Sequence, residues 1–341
     1  MKSVVFFNNK GGVGKTTLAC NVVAYISEHY SKRVLLVDAD PQCNATQALL
    51  DDELCEQIYL TGKSKQKTIY DILKPLELGE PGIADKIAPA PRSKNRYKTD
   101  LIPGHPSLST MEDRLSEAWS KLLAGEIPGF RISNWAEQLM LSFEDDYDLI
   151  VFDVGPSLGA LNRTIILASD FIVAPFGCDI FSILGINNIG TWIKKWQEDY
   201  EQSLLIAKRK DRLSSISEFN CIQDTSSKFR LAGYSVQQYV SRKFKEGPRP
   251  VKAYDRIMKD IPTVVEDRLS FITPEQFTQE QLRLGDVPYV YSLVPLSQSN
   301  KTPIHSLTGK EGLVGSQYKQ VTQYAELMKQ VSDRLIKNVG V

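Results

Sequence analysis

Residues Asn9 to Thr17 carry the sequence NKGGVGKTT, and the fold of the chain is best understood from this stretch. It follows a short apolar run, Val4 to Phe7, that predicts a buried strand, and it leads into Leu18 to Ala24, which predicts a helix. A glycine-rich turn between a strand and a helix is the context in which such a pattern binds phosphate. The glycines let backbone N–H groups close around phosphate oxygens, and the helix N-terminus adds its positive dipole.

The polar side chains of this loop have distinct expected roles. Lys15 is expected to reach the β- and γ-phosphates of a nucleotide, and the Thr16 hydroxyl is expected to hold Mg2+. The strict pattern GxxxxGK[ST] requires glycine at position 9, where this chain has Asn9, and an additional lysine, Lys10, precedes the glycine pair. The expected phosphate-binding residues are Gly11, Gly12, Val13, Gly14, Lys15, Thr16 and Thr17.

Two further predicted strands end in carboxylates. The apolar run Val34 to Val37 leads into DADPQCNAT, which begins at Asp38 and contains Asp40. The apolar run that begins at Tyr147 ends at Asp153, in the pattern known as Walker B. Ligands bind at the carboxyl ends of strands in open α/β sheets. Asp153 is therefore expected to hold Mg2+, through water because Mg2+ keeps part of its hydration shell.

The loop KGGVGKT resembles the deviant Walker A box of the ParA/MinD family of P-loop ATPases, and DADPQCNAT resembles that family's DxDPQxNAT box. The resemblance implies that Lys10 reaches across a dimer interface to the partner's nucleotide. It also implies that Asp38 supports the Mg2+ shell and that Asp40 orients the attacking water. The expected catalytic residues are Lys10, Lys15 and Asp40, and the expected metal-binding residues are Thr16, Asp38 and Asp153.

The chain departs from the family pattern at several positions. Gly155 stands where the family usually has the first of two prolines, so the turn near the γ-phosphate is expected to be looser. The family tends to place an asparagine for adenine just after a late strand. Here Gln237 and Gln238 follow the predicted strand 230–236. The run Leu293 to Ile304 resembles the family's last strand and the turn after it.

The resemblance implies an α/β P-loop NTPase fold, with a twisted, mostly parallel sheet and helices on both faces. A single ATPase domain over residues 1–341 is expected, with insertions near 51–100 and near 200–228. The first insertion is expected to be irregular apart from a short helix over Thr68 to Leu73. The chain starts on its first strand, so no separate N-terminal DNA-binding domain is expected. The final predicted helix, Ser316 to Asn338, has a mixed polar face, which favours packing on the domain over binding to a membrane surface.

Composition narrows the classes of protein. The 41 basic residues balance 41 acidic ones, so any binding to nucleic acid must come from a local patch. No run of 18 apolar residues occurs, and neither a membrane span nor a signal peptide is expected. The cysteines are scattered without a CxxC pair, which favours a reducing cytoplasm and argues against a zinc site, a disulfide framework or an iron–sulfur cluster: Cys20, Cys43, Cys55, Cys178 and Cys221.

The resemblance implies Mg2+-dependent ATP hydrolysis by a slow, partner-stimulated switch. ATP binding is expected to drive homodimerisation, and hydrolysis to release the dimer. The expected task is plasmid or chromosome partition, or the positioning of another cargo, with a ParB-like adaptor. Two alternatives stay open: a nucleotide-gated scaffold subunit of a multiprotein complex, and a MinD-like membrane positioner.

A basic segment near residue 245 is the candidate for non-specific DNA binding. Several ParA-type ATPases bind DNA through basic residues in their carboxyl-terminal half, and here the segment lies in a region marked by Gly and Pro. Contact with phosphates and a solvated loop are equally compatible with this composition. The residues concerned are Arg242, Lys243, Lys245, Arg249 and Lys252.

Overall fold

A parallel sheet forms the centre of the protein. The computed structural model describes residues 1–85, 87–239, 241–244, 247–250 and 252–341, and it describes side chains outside 238–255. Within these residues a seven-stranded sheet has the strand order β3-β2-β4-β1-β5-β6-β9, and a two-stranded antiparallel ribbon is formed by β7 and β8. The strands are β1 (Lys2–Phe6), β2 (Val34–Ala39), β3 (Asp100–Ile102), β4 (Leu149–Val154), β5 (Phe171–Gly177), β6 (Arg230–Tyr239), β7 (Ser241–Phe244), β8 (Gly247–Pro250) and β9 (Arg283–Pro288).

All strand pairs of the seven-stranded sheet are parallel. The helices are α1 (Lys15–His29), α2 (Asn44–Leu49), α3 (Asp52–Tyr59), α4 (Ile69–Glu77), α5 (Met111–Leu123), α6 (Ile127–Ser133), α7 (Trp135–Leu141), α8 (Ala160–Ala168), α9 (Ile180–Arg209), α10 (Leu213–Glu218), α11 (Lys252–Leu269), α12 (Gln279–Leu282), α13 (Leu293–Ser299) and α14 (Gln317–Val339). Helices α1 to α12 lie between the strands of this sheet in the chain, and α13 and α14 follow β9. The predicted α/β fold with a mostly parallel sheet is confirmed.

Alternating side chains of the central strands build two hydrophobic cores. Val4 and Phe6 of β1 point into the core that α1 and α14 cover. Val5, the residue between them, points into the opposite core, to which α5, α8 and α9 contribute. Strands buried on both faces need apolar residues at every position, and this requirement explains the apolar run Val4 to Phe6 of β1 and the apolar runs of β2 and β4 that lead up to Asp38 and Asp153.

The last strand lies earlier in the chain than predicted. Leu293 to Ile304 was expected to hold it, but β9 is the last strand and Leu293–Ser299 is the helix α13. The edge strand β9 carries Arg283 and Asp286, joined by an ion pair of 2.8 Å, and these charges hide the strand pattern. Pro295 is the third residue of α13, in the first turn, where the backbone N–H groups have no partner within the helix.

The two regions predicted as insertions contain regular structure. The short helix expected over Thr68 to Leu73 is α4, whereas α3 lies in a part of residues 51–100 that was expected to be irregular. The first part of residues 200–228 continues α9, and α10 follows. This second half of α9 buries Tyr200, Ser203 and Ala207. A helix face built from small and polar residues gives a weak apolar period, which is why its length escaped prediction.

The C-terminal helix packs on the domain, as predicted. Val321, Tyr324, Met328, Val331 and Leu335 of α14 are all buried in the core shared with α1. Among the described residues, no helix combines the length and the apolar character that are needed to cross a membrane.

Candidate functional site

Hydrogen bonds hold the start of the glycine-rich loop, and the helix that follows the loop has an uncapped N-terminus. Asn8 donates from Nδ2 to the Pro175 carbonyl of β5 at 2.6 Å, and its Oδ1 accepts the backbone N–H of Lys10 at 3.1 Å. Gly12 and Gly14 have φ of 73° and 82°, in the left-handed region that favours glycine. No side chain caps the N-terminus of α1, and its first turn holds no acidic residue. The free N–H groups of this turn suit an anion.

Asp153 lies directly beneath this helix terminus. Lys15 Nζ lies 2.8 Å from Asp153 Oδ1, and the Thr16 hydroxyl donates to Asp153 Oδ2 at 2.7 Å. The Asp153 side chain is fully buried, and the Lys15 side chain is 8% exposed. The structure therefore brings together one expected phosphate-binding lysine and two expected metal-binding residues.

Asp38 lies opposite Asp153 in the register of β2 and β4, and both side chains are buried. Its Oδ2 accepts hydrogen bonds from the backbone N–H and the hydroxyl of Thr46, at 2.7 and 2.6 Å. Burial and the neighbouring Asp153 charge raise the pKa of Asp38 to about 7, although the Thr46 bonds act in the other direction. Two buried carboxylates side by side form a site that a divalent cation would stabilise.

Asp40 follows directly after β2, and it lines a cavity beside the glycine-rich loop. Its Oδ1 accepts the backbone N–H of Gln42 at 2.9 Å, and the residue is 6% exposed. Gly155, from the loop after β4, packs against it, because a Cβ at that position would lie 3.3 Å from Asp40 Oδ1. The expected catalytic carboxylate therefore lies between the acidic strand ends and the loop after β4.

Lys10 points toward the start of α9. Its Nζ forms an ion pair with Asp179 Oδ2, and Asp179 Oδ1 also caps α9 by accepting the backbone N–H of Ser182 at 3.1 Å. Partial burial acts to raise the pKa of Asp179, but the hydrogen bond and charge of Lys10 outweigh it, so the pKa lies below its ordinary value. Within this single chain, Lys10 is thus held at the mouth of the site and does not contact Asp153.

The cavity beside the glycine-rich loop has a volume of about 560 Å³. Its wall contains the whole loop from Lys10 to Thr17, together with Asp40, Pro156 and Lys301. A second cavity of about 260 Å³ adjoins it at Gly14 and Thr17. The second cavity is lined by Gln237, which was one of the two residues considered for adenine, and by the aromatic residues Tyr289, Tyr291 and Tyr324. The side chain of Gln238 lies outside the described residues.

The residues present fit Mg2+ and a nucleoside triphosphate. Carboxylate and hydroxyl oxygens are the ligands that Mg2+ prefers, and Asp38, Asp153 and Thr16 supply them. Lys15 and the uncapped N-terminus of α1 supply the positive charge that a polyphosphate requires. Among the described residues, no group of three or more His, Cys, Asp or Glu side chains forms a metal cage, so phosphate oxygens and water would complete the Mg2+ shell.

Several residues of the site carried no signal in the sequence. Asn8 and Asp179 act through contacts with segments far away in the chain, and Asn162 holds the loop after β4, a role that no motif indicates. Thr46 is the exception, since it ends the DADPQCNAT box and could have been inferred from that box. The DNA-binding candidates Arg242, Lys243, Lys245, Arg249 and Lys252 have side chains outside the described residues.

Comparison with known proteins assigns the family. Residues 1–206 match a family model described as an AAA domain. The sporulation initiation inhibitor protein Soj of Bacillus subtilis (strain 168) is 30% identical over 209 residues, which cover 60% of this chain and 70% of Soj. Protein DIP2308 from Corynebacterium diphtheriae has a similar crystal structure, with a TM-score of 0.74 and 31% identity over 99% of this chain and 98% of that one.

A more distant structure supports the fold alone. A proposed plasmid partition protein from Borrelia burgdorferi, bound to AMPPNP, has a TM-score of 0.59 and 16% identity, and the alignment covers 99% of each chain. With its deviant Walker A loop, its paired strand-end carboxylates and this relationship to Soj, the chain belongs to the ParA/MinD family of P-loop ATPases.

Proposed function

We propose that the protein is a Mg2+-dependent ATP hydrolase that works as a dimerising nucleotide switch. The observation that carries the proposal is the convergence of Lys15 and Thr16 on the buried Asp153 beneath an uncapped helix N-terminus, where Lys15 and Thr16 also line a cavity of about 560 Å³. This arrangement places a positive charge that can bind phosphates within hydrogen-bonding distance of oxygen atoms that can bind a metal.

Each side chain has one task in the proposed reaction. Lys15 and the loop N–H groups bind the phosphates, while Thr16, Asp38 and Asp153 hold the metal. Mg2+, when bound, would offset the negative charge of the phosphates. Asp40 orients the water that attacks the γ-phosphate.

A second copy of the chain is the proposed partner. Lys10 is proposed to leave Asp179 and to complete the nucleotide site of the partner subunit. Next to Asp179, the first turns of α9 expose apolar side chains: Ile180 is 65% exposed, Phe181 67% and Leu184 52%. These exposed apolar residues lie beside Lys10 and support a dimer interface at this surface that forms around ATP. Hydrolysis removes the phosphate that both subunits share, so it releases the dimer.

The proposed cargo is DNA, bound without sequence preference by the basic segment around Lys245 when the chain is dimeric. Membership of the ParA/MinD family supports partition or cargo positioning with a ParB-like adaptor as the cellular task.

The test of DNA binding is the affinity for a non-specific duplex over a salt series, with ATP, ADP or no nucleotide. Binding that requires ATP and falls steeply with salt supports this role. ATP-dependent dimers that never bind DNA contradict it and favour the scaffold subunit.

The basic segment has a matched control. Alanine at Arg242, Lys245 and Arg249 is expected to lower the slope of log affinity against log salt by about 3. Alanine at Lys63, Lys65 and Lys67, which make the same change of charge elsewhere, is expected to leave the slope unchanged. Equal slopes for both triple variants contradict the assigned segment.

The test of hydrolysis is phosphate release by the wild-type chain and by Asp40→Asn. Asp40 lies at the cavity wall and forms none of the buried ion pairs, so the variant is expected to fold and to bind ATP. Its turnover is expected to fall by a factor of about 100 or more. Asp113→Asn, an exposed carboxylate on α5, serves as control. Wild-type turnover in Asp40→Asn contradicts the assigned role.

A further inference from the structure

The loop that follows Asp153 is tied down by one buried amide. Asn162, in the first turn of α8, is 2% exposed. Its Nδ2 donates to the Gly155 carbonyl at 2.8 Å and to the Ser157 carbonyl at 2.7 Å. These two carbonyls flank Pro156, so both donor positions of a single amide are used to hold one turn.

This turn lies where the chemistry is proposed to occur. Pro156 forms part of the wall of the 560 Å³ cavity. Gly155 packs so closely on Asp40 that a Cβ would lie 3.3 Å from the carboxylate. A shift of the turn would therefore move the cavity wall and change the space around Asp40 together.

The helix that carries Asn162 is itself anchored from another element. Glu112 of α5 accepts the backbone N–H of Ala160 at 2.6 Å and that of Leu161 at 3.3 Å, which places a carboxylate at the N-terminus of α8. Gly159 lets this carboxylate approach closely, because a Cβ there would lie 2.5 Å from Glu112 Oε1 and would displace it. Asn162 thus projects from a fixed helix end onto the turn, and it can act as a rigid brace.

The same contacts explain how the chain accommodates Gly155, which stands where proline is usual in the family. Proline fixes φ and reduces the freedom of a turn, whereas glycine increases this freedom. The two hydrogen bonds from Asn162 restrain the backbone on both sides of Pro156 from outside the turn. The restraint that a first proline would supply is here supplied by a side chain.

We propose that Asn162 is a positioning residue for ATP hydrolysis. It holds the Gly155–Ser157 turn so that Pro156 stays in the cavity wall and Asp40 stays against Gly155. The inference rests on the proposed function, because it concerns the same site. A misplacement of about 1 Å near the reacting groups can cost about 100-fold in rate, so loss of this brace acts on turnover more than on nucleotide binding.

The chain provides a matched control in Asn338 of α14. Its Nδ2 also donates to two backbone carbonyls, those of Ala232 at 2.7 Å and Gln281 at 2.9 Å, and the residue is 6% exposed. Ala232 lies near the start of β6, at the end of the sheet away from the site. Asn338→Ala removes the same kind of brace without touching the nucleotide cavity.

The experiment compares Asn162→Ala, Asn338→Ala and the wild-type chain. Three quantities are measured: ATP turnover per folded molecule, affinity for a fluorescent ATP analogue with Mg2+, and the midpoint of thermal unfolding. Asn162→Ala is expected to lower turnover about 10- to 100-fold while affinity changes by less than about threefold. Asn338→Ala is expected to lower the unfolding midpoint but to keep turnover within about twofold.

A purely structural role for Asn162 predicts a different result. In that case both variants lose stability and both keep wild-type turnover per folded molecule, which would overturn the proposal. Should Asn162→Ala fail to fold, Asn162→Gln carries the test, since its longer amide displaces the turn and is expected to lower turnover with little change in affinity. A wild-type chain that binds ATP without hydrolysing it contradicts the proposed function itself, a result separate from any difference among the variants.

Discussion

Lys15 and Asp153 form a buried ion pair, with 2.8 Å between Nζ and Oδ1, at the junction of the glycine-rich loop and the central strand β4. The Thr16 hydroxyl occupies the other oxygen of the same carboxylate. The positive charge of Lys15 therefore offsets the negative charge of Asp153, while Thr16 satisfies the remaining carboxylate oxygen. In the proposed reaction Lys15 turns to the phosphates, and Asp153 would then hold Mg2+, whose charge would offset that of the buried carboxylate.

A double-mutant cycle measures how strongly the charges of Lys15 and Asp153 stabilise each other. Lys15→Ala and Asp153→Asn are each expected to lower the free energy of unfolding by about 3 kcal/mol, because each leaves a buried charge without its partner. The double variant is expected to recover part of this loss. Urea denaturation measures all three. Strictly additive losses would mean that the two charges do not depend on each other.

The ion pair between Lys10 and Asp179 is expected to oppose dimerisation. Asp179→Asn keeps an oxygen that can cap α9 but removes the charge that holds Lys10, so ATP-dependent dimers should form more readily. Both side chains are about one third or more exposed, at 33% and 41%, and the gain is therefore at most about fivefold in dimer affinity. Sedimentation with ATP and Mg2+ measures it. Weaker dimers in Asp179→Asn would show that Asp179 assists the interface.

Gly104 is predicted to be intolerant of a side chain. Its N–H donates to the Thr46 hydroxyl at 2.8 Å, and a Cβ would lie 3.0 Å from the Asp38 carboxyl carbon. Gly104→Ala should push Asp38 out of place, lowering the unfolding free energy by about 1–3 kcal/mol and reducing ATP turnover. Gly82→Ala, where the nearest atoms lie 3.9 Å away, is the control. Equal behaviour of the two alanine variants would contradict the tight packing at Asp38.

His305 is predicted to make stability depend on pH. Its side chain is 3% exposed, and burial lowers its pKa to about 4, although the nearby Glu28 acts in the opposite direction. The unfolded chain therefore binds a proton between about pH 6.5 and pH 4 that the folded chain excludes, and stability falls as the pH drops through this window.

The size of this effect can be measured against a variant. Wild-type protein is expected to lose at most about 2 kcal/mol more unfolding free energy than His305→Gln between pH 7 and pH 5. The other charged groups near His305 are His29 and Lys98, and the variant leaves both in place. Parallel pH curves for the two proteins would show that His305 does not titrate in this way.

The sequence predicted those parts of the site that lie at strand ends. Asp38 and Asp153 could be placed side by side because each follows an apolar run, and parallel strands end at the same edge of the sheet. Lys15 and Thr16 followed from a local motif. Pattern and spacing suffice where the neighbours in space are set by the sheet itself.

The contacts that depend on tertiary packing could not be predicted. Asp179 meets Lys10, and Glu112 meets Ala160, only after distant elements have packed against one another. The edge strand β9 was missed because charged residues interrupt its apolar pattern, and α13 was taken for a strand because its apolar run is short. Short apolar runs do not distinguish a strand from a helix, so tertiary context decided both elements.

We propose that ATP joins two copies of this chain through the site built on Lys15 and Asp153. The most direct measurement is the solution mass of Asp40→Ala with ATP and Mg2+, with ADP and Mg2+, and without nucleotide. Because Asp40 is proposed to act only in hydrolysis, this variant should hold the ATP-bound state. Twice the monomer mass is predicted with ATP alone, and Lys10→Ala in the same background should return it to one chain. A single-chain mass in every nucleotide state would contradict the claim.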